Sequence, residues 1–275
     1  MDTLIVLGEN GMLGTYIKKY FQIHTSMKVI GINRQMFDAY IDPVEKLETV
    51  FKIHLGGAPE GLTVVVFNAI GAIPQVTSNL PEHFLKINTE FPHELSLLCK
   101  SYNIKMIHPS TDCVYSGKKG NYVETDFHDE TNIYGKSKSQ GEPKNCTIIR
   151  TSIIGEELNH KRSLVEWIKS NTGGEINGYS NHYWNGITCL QYAKIVEYMI
   201  LNNIFWEGVR HIYSPTTVSK YELANIINDT YNLGIKINKF ETDTVVDKSL
   251  SSIYEENKLF NIPELENQVK EMYIF

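Results

Sequence analysis

Leu4-Ile5-Val6-Leu7 runs directly into Gly8-Glu9-Asn10-Gly11-Met12-Leu13-Gly14, and a helical pattern follows through Tyr20-Phe21. A short, unbroken aliphatic run suits a strand buried on both faces, as in a parallel sheet. The glycines at 8, 11 and 14 therefore fall between a strand and a helix. There they permit a tight bend, let the backbone approach a phosphate, and let the helix pack close to the sheet. The helix N-terminus adds amide donors and the positive end of its dipole. A Gly-x-x-Gly-x-x-Gly triplet also occurs in ordinary turns, so the strand-turn-helix setting carries the reading. Gly8, Asn10, Gly11, Met12, Leu13 and Gly14 are the candidate phosphate contacts.

Further strands follow at regular intervals. Met27 to Ile32 ends at Asn33-Arg34, the strand end that covers an adenosine ribose in a dinucleotide fold. An acidic residue there favours the 2′-hydroxyl of NAD, whereas an arginine can pair with the 2′-phosphate of NADP. Arg34 lies twenty residues past Gly14, and a solvated surface arginine is the competing reading. Together with the glycine turn, Asn33 and Arg34 point to NADP(H). Thr63 to Ala69 is the clearest buried strand and adds Asn68 and Ala69 as cofactor candidates. Phe84 to Tyr102 has helical spacing, with Pro92 marking a start or a kink. Asn88 on that helix reaches the sheet or the cofactor, or is a simple polar helix position.

Lys105 to His108 leads to Pro109-Ser110-Thr111-Asp112 at a strand end, and Thr147 to Arg150 is another buried strand. Five strands alternating with helices from the first residue onward predict an α/β fold: a Rossmann-type doubly wound parallel sheet with a smaller C-terminal substrate domain. The expected boundaries are 1–150 for the NADP-binding domain, rejoined by part of 180–210, and 151–275 for a discontinuous substrate domain.

The chain has 275 residues, enough for a substantial core, and a formal net charge of -6 that gives no global attraction to nucleic acid or anionic membrane. Its four cysteines show no metal-like spacing. No run reaches the about 18 apolar residues of a spanning helix. A cytoplasmic, metal-free protein with no nucleic-acid or membrane partner is expected, and a homodimer is compatible with the sequence.

Chemistry concentrates in Thr131-Asn132-Ile133-Tyr134-Gly135-Lys136-Ser137-Lys138. Tyr134 and Lys138, four apart, share one helix face. A phenol with an ordinary pKa of about 10 is a poor acid near neutrality. A neighbouring ammonium favours the phenolate and brings that pKa toward the working range. Such a tyrosine can protonate a carbonyl oxygen while hydride reaches the carbon, with Thr111 or Ser110 bonding the same oxygen. The plainer alternative is an amphipathic surface pair.

Taken together, the glycine turn, Asn33-Arg34, Phe67-Asn68-Ala69, Asn88, Ser110-Thr111-Asp112-Cys113-Val114-Tyr115, the Tyr134 to Lys138 stretch and Ile149-Arg150-Thr151-Ser152 resemble the extended short-chain dehydrogenase/reductase family. The likeness is greatest to dTDP-4-dehydrorhamnose reductases and related nucleotide-sugar 4-ketoreductases, over about residues 3 to 230. The resemblance implies Tyr134 as proton donor, Lys138 as the residue that orients the nicotinamide ribose and lowers the tyrosine pKa, and Thr111 as the holder of the substrate oxygen. It implies NADPH-dependent reduction of a 4-keto-6-deoxy nucleotide sugar, with Asp112 and Glu124 near the sugar. Two stretches depart from the pattern: Asn68-Ala69-Ile70-Gly71, and His182-Tyr183-Trp184-Asn185-Gly186-Ile187-Thr188. The second lies where the family meets its sugar nucleotide, and an Asn-Gly-Ile-Thr variant looks more like reductases of UDP-linked N-acetylated 6-deoxyhexuloses. An epimerase or dehydratase of the same fold is an alternative, as is a non-catalytic NADP-binding subunit.

Helices are expected at Ser163 to Ile168 and Leu190 to Leu201, and from Val218 with Ser219 as N-cap. Gly173 to Tyr179 reads as a hairpin lip. Tyr183 and Trp184 either stack on a nucleotide or pack inward, and Asn185 joins them as a substrate candidate.

Overall fold

The computed structural model describes residues 2–55, 63–76, 78, 80–158 and 161–275. In chain order the elements are β1 (Thr3–Leu7), α1 (Met12–His24), β2 (Lys28–Ile32), α2 (Lys46–Leu55), β3 (Val64–Asn68), α3 (Pro81–Leu85), α4 (Phe91–Ser101), β4 (Lys105–Ser110), α5 (Ile133–Gln140) and β5 (Thr147–Arg150). They continue with β6 (Ile153–Ile154), α6 (Leu164–Lys169), β7 (Glu175–Tyr179), β8 (His182–Trp184), β9 (Ile187–Thr188), α7 (Cys189–Leu201) and β10 (Gly208–His211). The last are β11 (Val218–Ser219), α8 (Lys220–Tyr231), β12 (Lys236–Phe240), β13 (Val246–Asp247), α9 (Glu256–Leu259) and α10 (Leu265–Ile274).

These elements form two compact units. Met1–Ser110, Asn132–Ile149 and Val196–Val209 make the first, and Thr111–Thr131, Arg150–Ile195 and Arg210–Phe275 make the second. Residues 111–131, counted with the first domain from sequence, belong to the second unit. The reason is packing: Val114, Tyr115 and Tyr122 form a small apolar cluster with Leu250.

The first unit is built on a six-stranded sheet in the order β10-β5-β4-β3-β1-β2, which β5 and β10 leave at their last residues. β1 pairs in parallel with β2 on one side and β3 on the other, and β3 pairs in parallel with β4. The α/β doubly wound sheet read from the sequence is therefore present. Strand order reverses between β1 and β3, the switch point at which the carboxyl ends of such sheets open a ligand crevice. All five residues of β1 are buried, which is why that strand reads as unbroken aliphatic sequence. Ile5, Leu7, Val66, Phe91, Leu95 and Ile148 are among the residues of the core.

The helix placed at Phe84 to Tyr102 begins earlier, at Pro81, and is interrupted by a π-helical turn over Lys86–Glu90 before α4. Pro92 sits in the first turn of α4. It has no N–H to donate to the carbonyl of Asn88, four residues back. Gly141 instead packs onto that carbonyl, where an added Cβ would lie 1.6 Å from the oxygen. Pro92 thus marks a distortion inside a longer helix.

In the second unit, β7 pairs in parallel with β12. The expected hairpin lip at Gly173 to Tyr179 is corrected: parallel strands need a crossover, and the chain between β7 and β12 includes α8. Ser219 caps α8 as its hydroxyl accepts from Glu222 N–H at 3.1 Å, while the Glu222 carboxylate accepts from Ser219 N–H at 2.7 Å. Two more small sheets complete it, β11-β8-β13 and β6-β9. Among the described residues no helix is long and apolar enough to cross a membrane.

Candidate active site

The glycine turn lies at the carboxyl end of β1, beside the switch point. Gly8 has φ +76°, a left-handed conformation that disfavours other residues, and an added Cβ there would also meet the Ala69 carbonyl carbon at 3.0 Å. On Gly14 a Cβ would stand 2.2 Å from the Gly8 oxygen. The turn is therefore folded tightly against the first turn of α1. Gly11 caps α1 without any side-chain bond, and the first N–H groups of a helix have no intrahelical acceptor. Asn10 and Gly11 are exposed, Met12 is half-buried and Leu13 is buried in the unit. Gly11 N–H closes the turn by donating to Gly8 O at 3.0 Å, and the amides at the start of α1 that follow it form the kind of donor array that binds anions.

Asn68 and Ala69 end β3 next to this turn. Asn68 is fully buried; its Nδ2 lies 3.2 Å from His108 Nδ1, and its Oδ1 accepts from Ile70 N–H at 3.2 Å. His108 belongs to the core, and burial, followed by the Lys138 charge, holds it neutral by pushing its pKa well below the ordinary histidine value. Asn33 Oδ1 accepts from the N–H of Gln35 and Met36, which shapes the turn after β2. Arg34 is exposed, and its Nε donates to Asp38 at 2.8 Å.

Tyr134 and Lys138 occupy α5, whose N-cap Asn132 accepts from Gly135 N–H at 2.8 Å. The π turn holds this helix. Asn88 turns inward, accepts from Ala72 N–H at 2.8 Å, and donates to Ala72 O and to Ser137 Oγ at 2.9 and 3.1 Å. Thr89 donates to Ser137 O at 2.8 Å. Asn88, left open from sequence between the sheet, the cofactor and a plain polar position, is thus the bolt between the chain after β3 and α5. The Tyr134 ring meets Phe84 edge-on at 6.4 Å. Lys138 is buried, and its Nζ donates to Pro109 O at 2.9 Å, at the end of β4. Burial lowers its pKa to about 8, opposed by the Glu142 charge. The ammonium still predominates at neutral pH. Ser110 donates to Glu142 at 2.5 Å.

Thr111 begins the second unit one peptide bond beyond β4. Its hydroxyl accepts from Cys113 N–H and donates to Asp112 Oδ1, both at 3.1 Å. Asp112 is buried. Glu124 accepts from His211 N–H at 2.8 Å, from Ser252 Oγ at 2.5 Å, and from Ile253 N–H at 3.0 Å. Asn185 exchanges two 2.8 Å bonds with the backbone of Leu250. Glu124 and Asn185 are therefore clips between loops of their own unit, a use that their sequence neighbourhood did not reveal. Trp184 is buried with Lys220 Nζ 5.0 Å from its ring, and Tyr183 stays partly exposed. Gly186 follows because a Cβ there would lie 2.2 Å from Ser152 O.

Sequence reasoning missed a buried cluster around Arg150. Its guanidinium donates to Tyr115 OH at 2.7 Å, to His211 Nε2 at 2.8 Å and to His128 Nε2 at 2.9 Å. Arginine can only donate, so both imidazoles must accept through Nε2. His211 Nδ1–H then donates to Ser251 O at 2.7 Å. Burial, followed by the Arg150 charge, lowers the His211 pKa from 6.5 to about 4, with Glu124 opposing. Between these values the unfolded chain binds the proton and the folded one does not, so stability falls as pH drops through this window. Urea midpoints from pH 7 to 4 should decline, and the slope should flatten in His211→Gln; an equal slope in the variant would remove His211 as the cause.

The fold and this site define a Rossmann-type α/β protein with a Tyr-x-x-x-Lys pair on the helix before β5. Residues 1–249 match the model of the RmlD substrate binding domain family, and the chain belongs to that family. It is 25% identical over 250 residues to dTDP-4-dehydrorhamnose reductase of Aggregatibacter actinomycetemcomitans, covering 83% of this chain and 79% of that one. It is 22% identical to methionine adenosyltransferase 2 subunit beta of Bos taurus, covering 84% of this chain and 72% of that one. Among solved structures, the dTDP-4-dehydrorhamnose reductase of Bacillus anthracis in complex with NADP superposes with a TM-score of 0.79 at 17% identity, covering 100% of this chain and 99% of that one.

Proposed function

We propose that this protein is an NADPH-dependent oxidoreductase that reduces the C4 keto group of a 4-keto-6-deoxy nucleotide sugar, either dTDP-4-dehydrorhamnose or a UDP-linked N-acetylated 6-deoxyhexulose. The observation that carries the reading is Lys138: a buried ammonium, fixed on a strand-end carbonyl, one helical turn after Tyr134. A surface pair would leave that cation in solvent.

The glycine turn from Gly8 to Gly14 would hold the pyrophosphate of NADP(H) on amides at the start of α1, with Asn33 and Arg34 toward the adenosine ribose and Asn68 and Ala69 along the dinucleotide. When bound, the cofactor supplies a hydride to the C4 carbon. Tyr134 gives its phenolic proton to the C4 oxygen, completing the alcohol, and the proton is restored from solvent. Lys138 stabilises the resulting phenolate and orients the nicotinamide ribose. Thr111 donates to the carbonyl oxygen, exchanging its bond to Asp112 for one to substrate. Tyr183 offers an exposed ring to the nucleotide sugar, while Asp112, Glu124, Trp184 and Asn185 support the walls. Under this reading the first unit is the NADP-binding domain, and the second is mainly the substrate domain.

The test is oxidation of NADPH, followed optically, with a panel holding dTDP-4-dehydrorhamnose and UDP-linked N-acetylated 4-keto-6-deoxyhexoses. Turnover of one member is the expected outcome and also decides between the nucleotides. NADPH binding without turnover of any member would favour a second reading, a non-catalytic binding subunit, which the likeness to methionine adenosyltransferase 2 subunit beta supports.

A further inference from the structure

Glu9 lies within the glycine turn, yet its side chain reaches the end of β2. The backbone places it there: Gly8 N–H donates to Ile32 O at 2.9 Å and Glu9 N–H to the same oxygen at 3.4 Å. The carboxylate crosses Gly31, where an added Cβ would stand 1.8 Å from Oε2. A glycine inside a strand often marks such a close approach. Oε1 accepts from Asn33 Nδ2 at 3.2 Å, and Oε2 is ion-paired with Lys18 Nζ. At 9% exposure this is a carboxylate fixed in place.

In dinucleotide folds a carboxylate at this strand end accepts from the ribose 2′-hydroxyl, whereas a 2′-phosphate calls for cations. The expected cation, Arg34, is paired with Asp38, and Lys18 is paired with Glu9 itself. Within this group of four the charges cancel. The strand end carries both kinds of recognition element, with the acidic one supplied from the glycine turn.

We propose that Glu9 sets the balance between 2′-phosphorylated and unphosphorylated dinucleotides by holding down affinity for the 2′-phosphate. The proposal rests on the dinucleotide reading of the turn. Without its charge, a 2′-phosphate meets Lys18 and Arg34 with one fewer carboxylate opposing it, and an unphosphorylated ribose loses its acceptor. Gln at position 9 keeps the size and the bond to Asn33.

Calorimetric titration of the full chain with adenosine 2′,5′-bisphosphate and with 5′-ADP reads binding apart from catalysis. The ratio of the two Kd values is expected to move about tenfold toward the bisphosphate in Glu9→Gln. Gly31→Ala, which displaces the carboxylate while keeping its charge on the chain, should move the ratio in the same direction. If the wild type binds both probes and the ratio is unchanged in Glu9→Gln, the role of Glu9 is refuted and the dinucleotide reading stands. If the wild type binds neither probe, both fall.

Discussion

Replacing Tyr134 with Phe is expected to reduce keto-sugar turnover by about 10²–10⁴-fold, the range of a lost general acid, with the protein still folded and still binding NADPH. The ring's edge contact with Phe84 does not involve the hydroxyl, and Asn132 and the Asn88–Ser137 bond hold α5 independently of it. The variant therefore removes the phenolic proton while keeping the ring and the helix that carries it. Steady-state kinetics across the sugar panel, with NADPH titration and a melting curve on the same preparation, separates the effects. Turnover equal to wild type would dismiss Tyr134 as the proton donor. A matching fall in stability would show that the phenol is structural.

The architecture was legible because its inner strands are buried on both faces. β1 and β5 read as aliphatic runs for the same reason that they sit inside the sheet. The glycine turn was legible too, since Gly8 and Gly14 are demanded by backbone geometry over a few residues. What stayed hidden depends on partners distant in sequence. Asn88 bonds Ser137 across 49 positions and Asn185 bonds Leu250 across 65, and no local pattern announces either. Glu124 stood in an acidic stretch that reads as a solvated loop, yet its carboxylate gathers groups from near residues 211 and 252. Gly31 was a signal available but unused: a glycine in the middle of an apolar strand invites the question of what crosses it.

Arg150→Met is expected to cost about 3–5 kcal/mol of stability, as when one partner of a buried charged network is deleted. At about 2–4 °C per kcal/mol, the melting point should fall by roughly 10 °C. Met fills much of the volume but donates nothing. The imidazole Nε2 atoms of His211 and His128 and the oxygen of Tyr115 each lose an arginine donor at once. Tyr115 keeps its bond to Val123 O at 3.0 Å and its stack on Tyr122, so the damage centres on the two histidines. Arg150→Lys should recover only part of the loss, since one ammonium cannot reproduce the planar fork that serves three acceptors. The removed positive charge also helped to keep His211 neutral. In Arg150→Met, His211 should therefore take up its proton at higher pH, closer to its unfolded value, so the window over which acid erodes stability should narrow. Denaturant unfolding from pH 7 to 5 measures both consequences. A penalty under about 1 kcal/mol, the scale of a single ordinary hydrogen bond, would show that the cluster relaxes around the missing guanidinium and does not hold this part of the second unit together.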